Sequence, residues 1–149
     1  GALSIYQGRL VNSDVRVEKR IRAVQPVLCF EGEIRQVINN LIGNSIDAMG
    51  TTGGRLLLRT REARSKPHGD AGLVLTIADT GTGMSAETMT KAFEAFYTTK
   101  GIGGTGLGLW ISAEIVTRHA GRLRLRSSQR SGHSGTVFQL FLPYKATVR

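Results

Sequence analysis

The chain has 149 residues, 40% of them hydrophobic, a formal charge of +9 and one cysteine, Cys29. That length suits one domain with a real core, a lone cysteine excludes an internal disulfide, and no apolar run is long enough to span a bilayer. With no signal-peptide pattern at its start, the chain is expected to be cytoplasmic. Ala2 to Leu10 is weakly helical, with Leu3, Tyr6 and Leu10 near one face, and reads as the tail of an upstream element. Val15 to Lys19 alternates like a short strand, and Pro26 breaks the chain before Val27-Leu28-Cys29-Phe30, where Cys29 reads as a small core residue.

The strongest helical pattern runs from Glu33 to Met49, with Ile34, Val37, Ile38, Leu41, Ser45, Ala48 and Met49 on one side. Asn40, Asn44 and Asp47 form a polar stripe along the border of that face. Asparagine is disfavoured inside helices, so the stripe is either solvated or locally bonded, or it offers an amide oxygen to Mg²⁺, with phosphates and water completing the octahedron. Arg55 to Arg61 and Gly72 to Asp79 read as a hairpin joined through Lys66, Pro67, His68 and Gly69. Ser85-Ala86-Glu87 starts a short helix reaching Phe93 or Ala95. Phe96 to Thr105 is polar, glycine-rich and aperiodic, a candidate lid. Gly106 to His119 is apolar around most of its circumference and is expected to be largely buried. Arg122 to Ser127 and Thr136 to Leu142 close the chain as strands around a turn at Gly132 to Gly135.

Two glycine turns stand out. Asp79-Thr80-Gly81-Thr82-Gly83-Met84 delivers a carboxylate to a strand end, and Gly104-Thr105-Gly106-Leu107-Gly108-Leu109 leads into a helix whose first amides are unpaired donors suited to phosphate. The positive charge falls on alternating segments, Arg55, Arg59 and Arg61, then Arg122, Arg124 and Arg126, which places it on the wet face of a half-buried sheet. No aromatic residue interleaves with these arginines, so nucleic acid is not expected as a partner. His68, His119 and His133 show no metal spacing and read as surface or loop residues. Gly101-Ile102-Gly103-Gly104-Thr105-Gly106 fits a dinucleotide pattern but follows no apolar strand. The P-loop lysine, the protein-kinase signatures and the Gly-x-Ser-x-Gly elbow are all missing.

Four ordered segments, Asn40-Leu41-Ile42-Gly43-Asn44-Ser45, Asp79 to Met84, Phe93-Glu94-Ala95-Phe96-Tyr97-Thr98-Thr99-Lys100 and Gly104 to Leu109, resemble the N, G1, F and G2 boxes of sensor histidine kinases. Gly135-Thr136-Val137-Phe138 resembles the family's closing strand, and the likeness runs from about Val15 to Pro143. The Asp-Ala-Met end of the first box and the short Thr-Thr-Lys lid resemble the nitrogen-regulation branch. The resemblance implies an α+β two-layer sandwich, the Bergerat fold, with a mixed sheet of about five strands covered on one face by three helices, as a single ATP-binding catalytic domain over residues 1–149.

It also implies the site. Asn44 would coordinate Mg²⁺, with Asn40 supporting the phosphate and metal network and Asp47 beside them. Asp79 would accept the adenine amino proton, and Thr136 would reach the base through water. Gly81 and Gly83 would let the backbone lie against the purine, between walls of Ala48, Ile77, Met84 and Leu109. From the lid, Lys100 would touch the terminal phosphates, flanked by Phe96 and Thr99, and the backbone of Gly104, Thr105, Gly106, Leu107, Gly108 and Leu109 would cradle the triphosphate. The implied reaction is γ-phosphoryl transfer from Mg-ATP to a histidine, without a protein nucleophile. The implied partner is the parent's phosphoacceptor helical domain, with a response regulator served indirectly, no membrane contact and a monomeric isolated domain.

Two departures stand against the family pattern: Ala95 occupies the position usually held by proline, and none of the three histidines lies in a phosphoacceptor-type His-Glu helix. The alternatives are an ATPase of the same fold, as in gyrase or heat-shock chaperones, and a non-catalytic nucleotide-sensing module. The ATPases carry a glutamate where this chain has Asn40.

Overall fold

A computed structural model describes residues 15–22, 25–64, 69–97 and 107–144, with Thr51 described by its backbone alone. The expected helix at Ala2 to Leu10, His68, and the lid residues 98–106 lie outside the described residues. In order, the elements are Val15–Arg20 (β1), Glu31–Met49 (α1), a 3-10 turn at Gly50–Thr52, Gly54–Arg64 (β2), Ala71–Asp79 (β3), Ala86–Lys91 (α2), Gly108–Arg118 (α3), Arg122–Ser128 (β4) and Gly135–Pro143 (β5). The five strands form one mixed sheet in the order β1-β2-β3-β5-β4. The β1–β2 pair is parallel and the other pairs are antiparallel. With three helices on one face of this sheet, the chain has the expected α+β architecture.

Strand alternation and register explain why one face is covered. Leu56, Leu58, Ile77, Phe138, Leu140 and Leu142 point to the same side and meet Ile34, Val37, Leu41, Ile42, Ile46 and Met49 of α1 and Ile115 and Val116 of α3 in a single core. Each buried side chain of this size contributes roughly 1.5–3 kcal/mol. Helix α1 starts two residues before its apolar pattern because Glu31 and Glu33 sit favourably in its first turn, at the positive end of the helix dipole. Cys29 is partly buried against the core.

The structure corrects three expectations. Helix α2, capped by the Ser85 hydroxyl accepting from the Thr88 amide at 3.1 Å, ends at Lys91 rather than Phe93 or Ala95. There the chain tightens into i→i−3 bonds, Ala92 N to Met89 O (3.3 Å) and Glu94 N to Lys91 O (3.0 Å), and Phe96 adopts φ +68°, which a helix does not accommodate. Helix α3 is only half covered. It packs on α1 and β4 through Ser112, Ile115 and Val116, while Trp110 on the outer side is 40% exposed. His119 is not a surface residue but fully buried. Its Nδ1 bonds to the Ile115 carbonyl at 2.8 Å and its Nε2 accepts from the Phe30 amide at 3.1 Å. One partner is an acceptor and the other a donor, which defines a neutral ring protonated on Nδ1.

Candidate nucleotide site

Where β3 ends, Asp79 stands opposite Thr136 of β5, both on the helix side of the sheet. Both are buried, Asp79 at 7% exposure and Thr136 at 2%. The chain then turns through residues 80–85, and three bonds fix the turn. Asp79 Oδ1 accepts from the Gly81 amide at 2.8 Å, the Thr82 amide donates to the Ala48 carbonyl of α1 at 3.2 Å, and the Met84 amide donates to Ser127 Oγ at 2.7 Å. Ser127 in turn donates to the Gly135 carbonyl at 2.9 Å and lies 2.8 Å from Thr136 Oγ1. The turn is thus tied to α1 on one side and to the β4–β5 ladder on the other.

Within this frame Asp79 Oδ2 is buried and has no hydrogen-bond partner. An unmet buried carboxylate oxygen is costly, on the order of 1–3 kcal/mol or more, so its persistence marks a place where a donor belongs. Burial pushes the Asp79 carboxyl above the ordinary carboxylate range, opposed by the Gly81 amide, the Ser45 hydroxyl and the Thr136 amide. Ser45, fully buried on α1, faces this carboxyl, but its hydroxyl reaches no partner in hydrogen-bond geometry.

The glycines divide into two kinds. A Cβ on Gly81 would lie 2.7 Å from the Ala48 backbone, and Gly83 combines φ +76° with a Cβ direction blocked by the Ser128 carbonyl. Both are therefore demanded by protein packing, whatever else approaches them. Gly108 differs: a Cβ there would meet Asn40 Cγ only at 3.8 Å, an ordinary contact, so neighbouring protein does not require the glycine.

Gly108 opens α3, whose N-cap, Leu107, carries no side-chain acceptor for the first-turn amides. Asn40 holds this end of the helix. Its Nδ2 donates to the Gly108 carbonyl and to Ser112 Oγ, each at 3.3 Å, and Ser112 Oγ also donates to the Gly108 carbonyl at 2.8 Å. The Asn40 amide nitrogen is thus bonded across to α3, to residues lying 68 and 72 positions away, which is neither the solvation nor the local bonding expected of it. Asn44, half-buried, follows one turn along α1, with Asp47 exposed and Ala48 half-buried beyond it. The structure brings Ala48, Asp79, Gly81, Gly83, Met84 and Thr136 together, and joins Asn40 to Gly108. Leu107 and Leu109 are half-buried beside that junction, and Ile77 is wholly within the core. Phe96 is 75% exposed. Thr99, Lys100, Gly104, Thr105 and Gly106 lie outside the described residues.

Two serines that fasten the site, Ser112 and Ser127, were not singled out from the sequence. Ser127 occupies the inward phase set by Leu123 and Leu125, and Ser112 lies on a buried helix face. A small polar residue in an apolar phase was the available signal.

A sheet with helices on one face, a buried acid at a strand end and a glycine turn stapled to the first helix define an ATP-binding domain of the histidine-kinase type. Residues 30–146 match the family of histidine kinase-, DNA gyrase B- and HSP90-like ATPases, and the chain belongs to that family. Among its relatives, sensor kinase CckA of Brucella abortus is 37% identical over 95% of this chain and 16% of its own length. The sensory histidine kinase/phosphatase NtrB of Azospirillum brasilense is 33% identical over 85% of this chain and 32% of its own. The chain therefore spans a third or less of these kinases. In fold it resembles the nucleotide-free catalytic domain of histidine kinase ThkA (TM-score 0.79, 23% identity, covering 96% of this chain and 88% of that one). It also resembles full-length ShkA in complex with AMPPNP (TM-score 0.76, 23% identity, covering 99% of this chain and 29% of that one). Among the described residues, no helix is long and apolar enough to cross a membrane.

Proposed function

We propose that this domain binds Mg-ATP between α1, the 80–84 turn and the start of α3, and transfers the γ-phosphoryl group to a histidine on a separate dimerisation and phosphoacceptor domain of its parent kinase. The observation that carries this reading is Asp79 Oδ2, a buried acceptor without a donor beside a turn that is already rigid. The adenine amino group supplies the missing donor. Ala48, Met84 and Leu109 flank the base with Ile77 behind them, and Thr136 reaches it through water.

At the phosphate end, the start of α3, whose N-cap residue gives no side-chain cap, supports anion binding, since its amides and dipole favour negative charge, and among the described residues Gly108 leaves room for close approach. The residues fit magnesium in the way a hard cation requires: Asn44 offers an amide oxygen, Asp47 lies one turn beyond, and the remaining ligands are phosphate and water oxygens. When bound, Mg²⁺ neutralises charge developing on the transferring phosphoryl group. Asn40 positions the α3 amides through its bonds to Gly108 and Ser112. From the lid, Lys100 contacts the terminal phosphates, with Phe96 and Thr99 flanking it and Gly104, Thr105 and Gly106 completing the cradle.

An amide at position 40 cannot serve as general base for water, which supports phosphotransfer over steady hydrolysis. The deciding experiment is calorimetric titration with Mg-ATP, followed by mixing with the parent's helical dimer. Saturable binding and an acid-labile, base-stable phosphate on the dimer are expected; binding without such a product would leave a nucleotide-sensing module.

A further inference from the structure

We propose that the face of the sheet on which no helix lies among the described residues is a docking groove for an acidic amphipathic helix of a partner protein. The strand register lays out this face in transverse rows. One row runs Arg61, Val74, Phe141, Arg122; the next runs Arg20, Arg59, Thr76, Gln139, Arg124. The row below them runs Glu18, Leu57, Ala78, Val137, Arg126. Arginines thus form two rails, on β2 and on β4, with the central strands β3 and β5 as the floor between them.

The dimensions fit a helix. Three strand spacings separate β2 from β4, about 14 Å, and a helix with its side chains is about 10–12 Å across. Arginines fall on alternate residues at 59 and 61 on β2 and at 122, 124 and 126 on β4, and so recur at about 6.7 Å, close to the roughly 6 Å rise between helix positions i and i+4. At one end of the groove is a cleft of about 250 Å³ lined by Arg61, Arg64, Val74, Arg122, Arg124 and Phe141.

The chemistry selects the occupant. The floor is apolar at Val74, Ala78, Val137 and Phe141, and so calls for an apolar stripe, which a phosphate backbone lacks. Phe141 is half-buried, its ring lying over Gly72, and is the one aromatic residue on these rows, so there is no series of rings on which successive bases could stack. The apolar residues also lie below the arginines rather than protruding, the reverse of what insertion into a bilayer surface needs. Every basic residue on these rows is arginine, whose planar fork matches carboxylates in pairs. Glu18 is the single carboxylate on them, and it is taken by Arg20 at 2.8 Å. In the middle of the floor, the register partners Arg59 and Thr76 leave Nε and Oγ1 buried without hydrogen-bond partners.

The test uses a fluorescein-labelled 18-residue helical peptide with leucines along one stripe and glutamates on both flanks, titrated into the 149-residue chain and followed by anisotropy. Saturable binding that weakens with salt is expected. It should be lost in the Arg61→Glu/Arg124→Glu variant and at least tenfold weaker in Arg61→Lys/Arg124→Lys, which keeps charge but removes the forks. It should also weaken at least fivefold when serine replaces the leucine stripe. Arg61 and Arg124 are exposed, and unchanged circular dichroism and melting would show that both variants fold. No saturable binding, equal binding by the charge-reversed variant, or tighter binding of duplex DNA or phosphatidylserine vesicles through the same arginines would each overturn the proposal.

Discussion

Asp79 and Thr136 are direct partners in the β3–β5 ladder, and a single hydroxyl, Ser127 Oγ, bonds both to the Thr136 side and to the turn that follows Asp79. The acid is therefore placed by sheet register and held by three strands' worth of bonding before any ligand enters. This costs stability, because the carboxyl is buried and one of its oxygens is unmatched. The same arrangement leaves Asp79 Oδ2 without a hydrogen-bond partner, with the Ser45 hydroxyl facing the carboxyl.

That cost gives a first prediction. With its folded pKa raised by burial, Asp79 binds a proton more readily in the native state than in the unfolded chain. Stability is accordingly unaffected below the unfolded carboxylate pKa and falls as pH rises through the raised native value. Asp79→Asn keeps an oxygen for the Gly81 amide and removes the charge. At neutral pH it is expected to stabilise the fold by about 1 kcal/mol while weakening ATP binding by roughly 1.5–3 kcal/mol, about 10–150-fold. Urea unfolding at pH 7 and pH 3.5 checks the first half, since the gain should vanish at the lower pH. Calorimetry with ATP checks the second, and wild-type affinity in the variant would remove Asp79 from the site.

Gly81 and Gly32 give a contrast in opposite directions. A methyl group at position 81 meets the Ala48 carbon and oxygen at 2.7 Å, whereas position 32 has nothing within 4 Å. Gly81→Ala should destabilise by about 1–3 kcal/mol through forced displacement of the turn from α1. Gly32→Ala, in the first turn of α1, should be neutral or stabilising by up to about 1 kcal/mol. Thermal melts of the two variants side by side test this, and equal loss in both would mean that crowding by Ala48 does not set the cost at position 81.

Much of this molecule was legible because its signals are local. Alternation identified β2 through β5 within a residue or two at most ends, and the Asn40, Asn44, Asp47 border follows from helical spacing alone. What could not be read depends on long-range packing. His119 looked like a surface residue at a helix end, yet Phe30, 89 residues earlier, covers it and bonds to its ring. Trp110 looked buried because its helix is apolar all round, but α1 and β4 cover only one stripe of α3. The glycine of residue 81 signalled a close approach correctly; that the approaching group includes the Ala48 backbone depends on how α1 meets the turn.

Asn44 and Asn40 stand one turn apart on the same helix but are predicted to separate functionally. Asn40 is engaged with Gly108 and Ser112, so Asn40→Ala should loosen the start of α3 and cost stability of about 1 kcal/mol together with phosphate affinity. Asn44→Ala should leave ATP binding without metal nearly intact and reduce the increase in affinity that Mg²⁺ brings. Titrations with ATP in EDTA and in excess Mg²⁺ measure both quantities. An unchanged magnesium response in Asn44→Ala would reassign that ligand.

The buried imidazole of His119 supplies the last prediction. Its two nitrogens join the end of α3 to the segment entering α1, through Ile115 and Phe30, and the Phe30 ring packs edge-on at 6.0 Å. Truncation removes both bonds, strands the Phe30 amide and opens a cavity, so His119→Ala should cost about 2–4 kcal/mol. Gln is a sharper probe, since its amide nitrogen can donate to the Ile115 carbonyl or its oxygen accept from the Phe30 amide, without the rigid ring that directs both bonds at once; it should recover part of the loss. Urea midpoints at constant m-value measure these differences. If His119→Ala melts like the wild type, the imidazole is a filler rather than a clasp, and the helix end must be held by the Arg118–Glu33 ion pair at 2.7 Å, an exposed contact of the kind that contributes less than about 1 kcal/mol.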